Sequence, residues 1–278
     1  MISNYLTIDV EDYYHVSAFE NIIGYQRWND YYPRVTINTR VVLDILDEHK
    51  VKATFFILGW VAEKFPSLVR DIYERGHEIA CHSYLHRLVY NMSPAEFKRD
   101  TARSKDTLEQ ISGNAVLGYR APSYSITKKS LWALDILEEL GFTYDSSIFP
   151  IVHDRYGIPD APRFKYKLAN NNMVEYPIST SLFCGMKLPV SGGGYFRLFP
   201  YSFTRMVLRK INNKEKRPFV FYLHPWELDP EQPRIKKTGM ISKFRHYNNL
   251  NKTAWRFQQL LADFKFQPIV DVASPPYK

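Results

Sequence analysis

The chain alternates between short apolar runs and longer segments in which apolar positions recur every three to four residues. The short runs are typical of buried strands and the longer segments of amphipathic helices. The predicted strands are residues 5–10, 53–58, 78–81, 117–120, 142–145, 218–223 and 268–270. The predicted helices are residues 39–49, 62–75, 93–112, 130–140, 203–211 and 252–264. This alternation, with short connections, favours an α/β fold with a mainly parallel sheet.

Local signals refine this outline. Asn38 can cap the first predicted helix, and Ser93 with Glu96 forms a capping-box start for the third. Residues 150–200 are rich in proline and glycine and are expected to be irregular, with room for short hairpins. No repeat or obvious linker divides the chain, so a single catalytic domain over residues 1–278 is predicted.

Polar side chains stand at or just past the C-terminal ends of several predicted strands. In a parallel barrel these ends meet on one face, where active sites are built. The residues concerned are Asp9, His82, Arg120, Asp145 and His224. The sequence therefore predicts one site at this face.

The composition is that of an ordinary globular protein, with 278 residues, 45% hydrophobic and 24% charged. It excludes disorder, collagen and coiled coil, and Cys81 and Cys184 are expected to be small buried residues rather than a disulfide framework. No apolar stretch approaches the ~20 residues that a membrane helix needs. The N-terminus has no signal-peptide pattern, so a cytoplasmic location is expected.

Lys and Arg outnumber Asp and Glu by 37 to 29, which gives a net charge of +8. Such an excess permits an anionic polymer, a membrane surface or nucleic acid as a partner. Because the basic residues are spread out and no nucleic-acid reader motif is present, nucleic-acid binding is not expected.

His82 and His86 are four residues apart, and on a helical turn such side chains share one face at about 5–6 Å. Two imidazoles can bind one borderline metal such as zinc, although this spacing also occurs by chance. A hydrolytic metal site uses three protein ligands and keeps one position open for water. Asp9, Glu11 and Asp12 offer the carboxylates for the third ligand.

Five segments carry these residues: Thr-Ile-Asp-Val-Glu-Asp at 7–12, His-Ser-Tyr-Leu-His at 82–86, Arg-Ala-Pro-Ser-Tyr at 120–124, Tyr-Asp-Ser-Ser at 144–147 and Leu-His-Pro-Trp-Glu at 223–227. In this order they resemble the motifs of the NodB-homology polysaccharide deacetylases, carbohydrate esterase family 4. The Asp-Val-Glu-Asp form is similar to a branch found with bacterial exopolysaccharide and surface-glycan loci. The resemblance implies a distorted, incomplete (β/α) barrel related to the TIM barrel.

The resemblance also implies roles for the matching residues. His82 and His86 would hold a divalent metal, with zinc as the first choice, together with a carboxylate of the first motif. Asp9 would be the general base, held ionised by Arg120 through charge-assisted hydrogen bonds. His224 would be the general acid that protonates the leaving amine.

Other residues are assigned to support and to substrate binding. Asp145 is expected to contact a histidine and fix its tautomer. A backbone N–H near Ser123 would stabilise the oxyanion. The candidate substrate-binding residues are Ser123, Tyr124, Tyr195, Arg197 and Trp226.

The chain departs from the family pattern in two places. Val10 stands where the family usually has a second aspartate, so the third ligand is Glu11 or Asp12. Glu11 shares a strand face with Asp9 if the strand continues, but Asp12 keeps the residue type and is preferred because the chain is expected to turn there. The fourth motif lacks its usual tryptophan, and the candidates for that wall of the acyl pocket are Leu223, Phe149 and Trp226.

The resemblance implies a metal-dependent hydrolase that removes N-acetyl groups from amino sugars of a bacterial surface glycan or exopolysaccharide. The charge of +8 agrees with an anionic glycan, or with a lipid-linked one reached at the inner membrane surface. Two alternatives stay open, an allantoinase-like hydrolase of cyclic amides on the same fold and a metal-free carbohydrate-binding protein. The retained histidines and carboxylates favour the deacetylase.

Overall fold

The structure is a computed structural model that describes residues 2–169, 172–183, 185–236 and 238–270. Its strands are β1 Ser3–Val10, β2 Thr54–Ile57, β3 Glu78–Cys81, β4 Gly118–Tyr119, β5 Tyr144–Asp145, β6 Tyr166–Lys167, β7 Val174–Glu175, β8 Thr180–Phe183, β9 Met186–Pro189, β10 Val220–Leu223 and β11 Lys265–Gln267. Its α-helices are α1 Val35–Glu48, α2 Gly59–Lys64, α3 Pro66–Glu74, α4 Pro94–Ser112, α5 Trp132–Glu139, α6 Gly193–Leu198, α7 Tyr201–Asn213, α8 Met240–Tyr247 and α9 Leu250–Asp263. Short 3-10 helices are Ser17–Phe19, Tyr25–Asp30, Val89–Asn91, Pro122–Tyr124 and Pro225–Leu228.

Nine strands of the described residues form one curled sheet in the order β10-β1-β2-β3-β4-β5-β7-β6, with β11 also paired to β1. The pairs along this order are parallel except for β6 with β7, which is an antiparallel hairpin. Strands β8 and β9 form a separate antiparallel pair. The sheet and its helices make an incomplete barrel, so the predicted fold class is confirmed.

Alternation along the strands separates two apolar layers. Ile8, Val10 and Phe55 belong to the large cluster that packs against the helices, whereas Phe56 and Tyr222 belong to the cluster on the other face. Because side chains alternate with a period of two, each buried strand has apolar residues on both faces. A polar residue at a strand end therefore points to the interior face only if it lies an even number of positions from another interior-facing residue of that strand.

The structure corrects several sequence predictions. The segment 62–75 is two helices, because Pro66 lacks the N–H needed to continue α2 and Phe65 before it is non-helical. Helix α1 begins at Val35, so Asn38 lies inside it and donates to Asp229 instead of capping. The last strand of the described residues is β11, and residues 268–270 are not a strand.

Two local predictions, the start of α4 and the burial of Cys81, are confirmed. The capping box of Ser93 and Glu96 starts α4 as expected. Cys81 is fully buried, whereas Cys184 lies outside the described residues. None of the described helices is both long and apolar enough to span a bilayer.

Candidate active site

The C-terminal ends of β1, β3, β4 and β10 meet at one edge of the sheet. The parallel register explains this, since Asp9 lies beside Phe56, and Ile57 beside Cys81, which precedes His82. A cleft of about 160 Å³ opens at this edge. It is lined by Asp9, Glu11, Val16, Ser17, His82, His86, Ala121, Ser123, Tyr124, Tyr156, Tyr222, His224 and Trp226.

Glu11, His82 and His86 form a buried trio whose ligand atoms all lie within 4.8 Å of one another. Nε2 of His86 is 2.9 Å from Oε2 of Glu11, yet this oxygen has no hydrogen-bond donor among the described residues. Two imidazole nitrogens and one carboxylate oxygen are a usual ligand set for a divalent transition metal. The residues present therefore fit such an ion.

The backbone fixes which nitrogen of His82 faces the cleft. Nδ1 of His82 lies 2.8 Å from the carbonyl oxygen of Arg120. Because a carbonyl can only accept, Nδ1 carries the hydrogen and Nε2 keeps its lone pair. Burial lowers the pKa of His82 to about 4, which favours the neutral form that a metal ligand needs.

Glu11 remains a carboxylate in spite of its burial. Burial by itself would raise the pKa of Glu11, but the neighbouring His86 and His224 outweigh it and hold this pKa well below its usual range. Nε1 of Trp226 donates to Oε1 of Glu11 at 3.3 Å. The second oxygen, Oε2, is thereby the one left for the two imidazoles.

The preference for Asp12 as the third ligand is corrected by this arrangement. Asp12 accepts hydrogen bonds from the backbone N–H groups of Tyr13, Arg34 and Val35, so its carboxylate ties the loop after β1 to the start of α1. Glu11, two residues after Asp9, keeps the phase of the strand and points to the interior face.

Asp9 and Arg120 make the buried pair expected from the sequence. Nη1 of Arg120 donates to Oδ1 of Asp9 at 2.6 Å and to Oγ1 of Thr7 at 2.8 Å. Its other nitrogens donate to the carbonyl and hydroxyl of Ser146. With both partners buried and these bonds in place, the carboxylate is held in one orientation beside the cleft.

His224 follows β10, the strand paired directly with β1, and faces Asp9 and Glu11. Its Nε2 lies 3.3 Å from Oε1 of Glu11 and 3.9 Å from Oδ2 of Asp9. Its Nδ1 lies 2.5 Å from Oε1 of Glu227. Burial by itself would lower the pKa of His224. The negative charges of Glu11 and Glu227 outweigh this effect and raise the pKa to about 9.

Glu227 supports His224 and was missed by the sequence analysis. Its second oxygen, Oε2, accepts from Nε of Arg197 at 3.1 Å, and both side chains are buried. Glu227 is the last residue of the His-Pro-Trp-Glu segment. Because this segment forms a tight turn, a carboxylate three residues after His224 could have been predicted to contact its imidazole.

Asp145 does not contact a histidine, which corrects the role expected for it. Asp145 is beside Tyr119 in the register, and Tyr119 packs on the helix side of the sheet. The strand phase therefore turns Asp145 away from the cleft. Its carboxyl accepts from Oγ of Ser147 at 2.5 Å and interacts with Glu175, and burial raises its pKa.

The candidate substrate residues divide into three groups. Ser123, Tyr124 and Trp226 line the cleft, and Trp226 is also the only one of the three candidates for the acyl-pocket wall that does so. Tyr195 lines a neighbouring cavity of about 580 Å³ that shares Tyr156 and Tyr222 with the cleft.

Arg197 is not a groove residue, and its assignment to substrate is corrected. It is 2% exposed and its Nη atoms donate to the backbone carbonyls of His246, Asn248 and Arg245. A guanidinium with five donors can satisfy this many acceptors at once, so Arg197 joins α6 to the end of α8.

Four non-glycine residues around the cleft have left-handed backbone conformations. The φ angles are 63° for Ser83, 53° for His86, 50° for Ser123 and 54° for Tyr124. Such residues cost energy and are concentrated at functional sites. Ser83 and His86 lie in one tight turn, and Ser123 and Tyr124 lie in another. These turns place His86 and Ser123 in the lining of the cleft.

Residues 25–144 match the polysaccharide deacetylase family, and residues 146–274 match a domain of unknown function (DUF3473). The cleft draws on the whole chain, since Asp9 and Glu11 precede the first match and His224 lies in the second.

A peptidoglycan-N-acetylglucosamine deacetylase of Bacillus cereus is 37% identical over 98 residues, which are 35% of this chain and 36% of that protein. A chitooligosaccharide deacetylase of Bradyrhizobium sp. is 30% identical over 96 residues, which are 34% of this chain and 42% of that protein. The chain thus matches less than half the length of these curated relatives.

A crystal structure from Mycobacterium smegmatis, of a protein named as a polysaccharide deacetylase, superposes with a TM-score of 0.58 at 21% identity. The superposition covers 95% of this chain and 85% of that one, and it establishes the shared fold.

Proposed function

From its homology to the polysaccharide deacetylases of the NodB type, carbohydrate esterase family 4, we propose that this chain is a metal-dependent hydrolase of N-acetylated amino sugars. The observation that carries the proposal is the convergence of Glu11, His82 and His86 with Asp9 and His224 in one cleft. This is a metal-ligand set with one candidate base and one candidate acid beside it.

Glu11, His82 and His86 are the residues that would hold the ion, and zinc suits their nitrogen and oxygen donors. A divalent cation there would polarise the acetamide carbonyl and lower the pKa of a water molecule. The 2.9 Å distance between Oε2 of Glu11 and Nε2 of His86 and the Nε2 lone pair of His82 support this assignment.

Asp9 is the proposed general base. Its Oδ1 is engaged by Arg120, while Oδ2 faces the cleft on the side of His224. Arg120 donates to the carboxylate of Asp9 and orients it, and a carboxylate can accept a proton from water as the water attacks the acyl carbon.

His224 is the proposed general acid. Nδ1 is bound to Glu227, so Nε2 is the atom that donates a proton to the sugar nitrogen as the bond between this nitrogen and the acyl carbon breaks, which yields the free amine and acetate. The ring is stacked on Trp226 at a centroid distance of 5.2 Å, which helps to hold Nε2 towards the cleft.

The substrate is proposed to be a glycan chain rather than a single sugar. The cleft of about 160 Å³ suits one acetamido group, and the adjoining cavity offers Tyr156, Tyr195 and Tyr222 to the neighbouring units. Within this class we favour a bacterial surface glycan or exopolysaccharide, anionic or lipid-linked, because the chain carries a net charge of +8.

The test is acetate release from a panel of N-acetylated glycans, before and after chelation and after readdition of zinc. We expect release from at least one glycan, its loss with chelator and its recovery with metal. Release of product from allantoin alone would favour the cyclic-amide reading. Glycan binding by a protein with no bound metal and no acetate release would overturn the hydrolase.

A further inference from the structure

Helix α8 exposes three apolar side chains beside the larger cavity. Met240 is 88% exposed, Ile241 70% and Phe244 57%. Residues at positions i, i+1 and i+4 lie within an arc of about 100° of the helix surface. All three line the cavity of about 580 Å³, so they form a continuous apolar crest at its mouth.

Basic side chains flank this crest. Arg234, Lys236, Lys243 and Arg245 are all exposed, and α8 itself contains no acidic residue. In the part of the chain that the structure describes, none of the four is in an ion pair. A second hollow on the far side of Phe244 is lined by three of them and by no acidic residue.

We propose that this surface, the apolar crest of Met240, Ile241 and Phe244 with its flanking cations, docks on an anionic lipid bilayer. A short helix with apolar residues on one side and Lys or Arg beside them lies in the interface of a membrane. The apolar side chains enter the acyl boundary, and the cations contact lipid phosphates.

Charge argues against a second copy of this chain as the occupant. A symmetric contact of the crest with itself would bring Lys236 and Lys243 towards the same residues of the other copy. Like charges placed together in an interface are strongly unfavourable. A surface that presents negative charge is required instead, and a bilayer with anionic headgroups presents it over the whole face.

The docking surface is continuous with the catalytic cleft. Tyr156 and Tyr222 line both the cavity under the crest and the cleft that contains Asp9 and His224. Docking would therefore turn the opening of the cleft towards the membrane, where a lipid-linked glycan is presented. This last step rests on the proposed function, whereas docking itself does not.

The experiment is cosedimentation with vesicles of phosphatidylcholine, alone or mixed with phosphatidylglycerol. We expect binding to the mixed vesicles at least about tenfold tighter than to the neutral ones, and weakened by added salt. A Met240→Ser, Ile241→Ser, Phe244→Ser variant and a Lys236→Gln, Lys243→Gln variant are each expected to lose about tenfold or more. Because all five residues are exposed, these changes remove no core contact.

Matched controls come from exposed residues elsewhere. Met206→Ser on α7 removes a side chain that is 58% exposed, and Lys214→Gln with Lys252→Gln removes the same charge as the lysine pair. Both controls are expected to bind as the wild type does. Equal binding to neutral and mixed vesicles, no binding, or an equal loss in the controls would overturn the proposal.

Two parallel measurements complete the test. Light scattering without vesicles is expected to give the same mass for the wild type and the triple serine variant, and a larger mass only in the wild type would assign the crest to self-association. Acetate release from soluble oligosaccharides is measured separately. Vesicle binding without acetate release would keep this proposal and overturn the proposed function.

Discussion

Nδ1 of His224 lies 2.5 Å from Oε1 of Glu227, and Oε2 of Glu227 lies 3.1 Å from Nε of Arg197. The buried guanidinium of Arg197 thus fixes the carboxylate of Glu227, and this carboxylate fixes the imidazole of His224. Because Nδ1 is occupied, the other nitrogen of His224 is fixed towards the cleft, and the ring has one orientation.

Replacing Glu227 tests this positioning. Glu227→Ala is expected to lower kcat by about 10- to 100-fold with little change in KM, because the ring of His224 loses its partner. Glu227→Gln keeps an acceptor oxygen and is expected to retain more of kcat than the alanine variant. Steady-state kinetics check this, with the exposed Glu231→Gln as the control. Equal losses in kcat for alanine and glutamine would argue against an orienting role.

The third metal ligand can be identified by comparing Glu11 with Asp12. Glu11→Gln is expected to weaken zinc binding by at least about tenfold, because it removes the carboxylate of the trio. Asp12→Asn is expected to keep the metal but to lower the free energy of unfolding by about 1–3 kcal/mol, since its charged oxygens accept three backbone hydrogen bonds. Metal content per chain and denaturant unfolding separate the two. Metal loss in the Asp12 variant alone would reverse the assignment.

Asp9→Asn tests the proposed base. The amide cannot accept the proton, so kcat is expected to fall by about 10²- to 10⁴-fold while zinc stays bound. Asp106→Asn, on the exposed side of α4, is the matched control and should leave kcat unchanged. Acetate release together with metal analysis checks both outcomes, and full activity in Asp9→Asn would remove Asp9 from the mechanism.

Glu78, at the opposite end of β3 from the cleft, is expected to make stability depend on pH. Burial raises the pKa of Glu78 from 4.5 to about 7, in spite of hydrogen bonds from Thr54 and Tyr144. The folded state therefore keeps the proton more strongly than the unfolded chain does. The contribution of Glu78 to the free energy of unfolding is complete below about pH 4.5, and it is lost as the pH rises through about 7.

The expected loss is up to about 3 kcal/mol in the free energy of unfolding. Glu78→Gln carries no titrating proton, so the difference between this variant and the wild type should change across that pH range. Chemical denaturation at several pH values measures the difference. For Glu74→Gln, at an exposed position, the free energy of unfolding should vary with pH as it does in the wild type. The same pH dependence in Glu78→Gln would contradict the argument from burial.

The sequence could predict the residues of the cleft better than the direction in which each one points. Apolar runs located β1, β3 and β10, so Asp9, His82 and His224 were correctly expected at one edge. The phase of a two-residue strand such as β5 is set by its neighbours, which is why Asp145 was assigned to the wrong face. To choose Glu11 over Asp12 as the third metal ligand, one would need to know that side chains keep alternating between the two faces beyond Val10, where β1 ends.

Other features depend on contacts between segments that are far apart. Arg197 looked like a groove residue because nothing local indicates that α6 packs against the end of α8. Helix α8 itself was not predicted, since its exposed apolar residues lack the pattern of a helix that packs on a core.

The pairing of β1 with β10 also determines when the cleft can form during synthesis. Tyr5 pairs with Val220, a separation of 215 positions (220 − 5). Contacts of such long range form slowly, and Asp9 on β1, the proposed base, meets His224 after β10, the proposed acid, only when most of the chain has left the ribosome. Until then one side of β1 is an open edge that can pair with another nascent chain. Fragments that end before residue 218 should therefore aggregate even though they contain Glu11, His82 and His86.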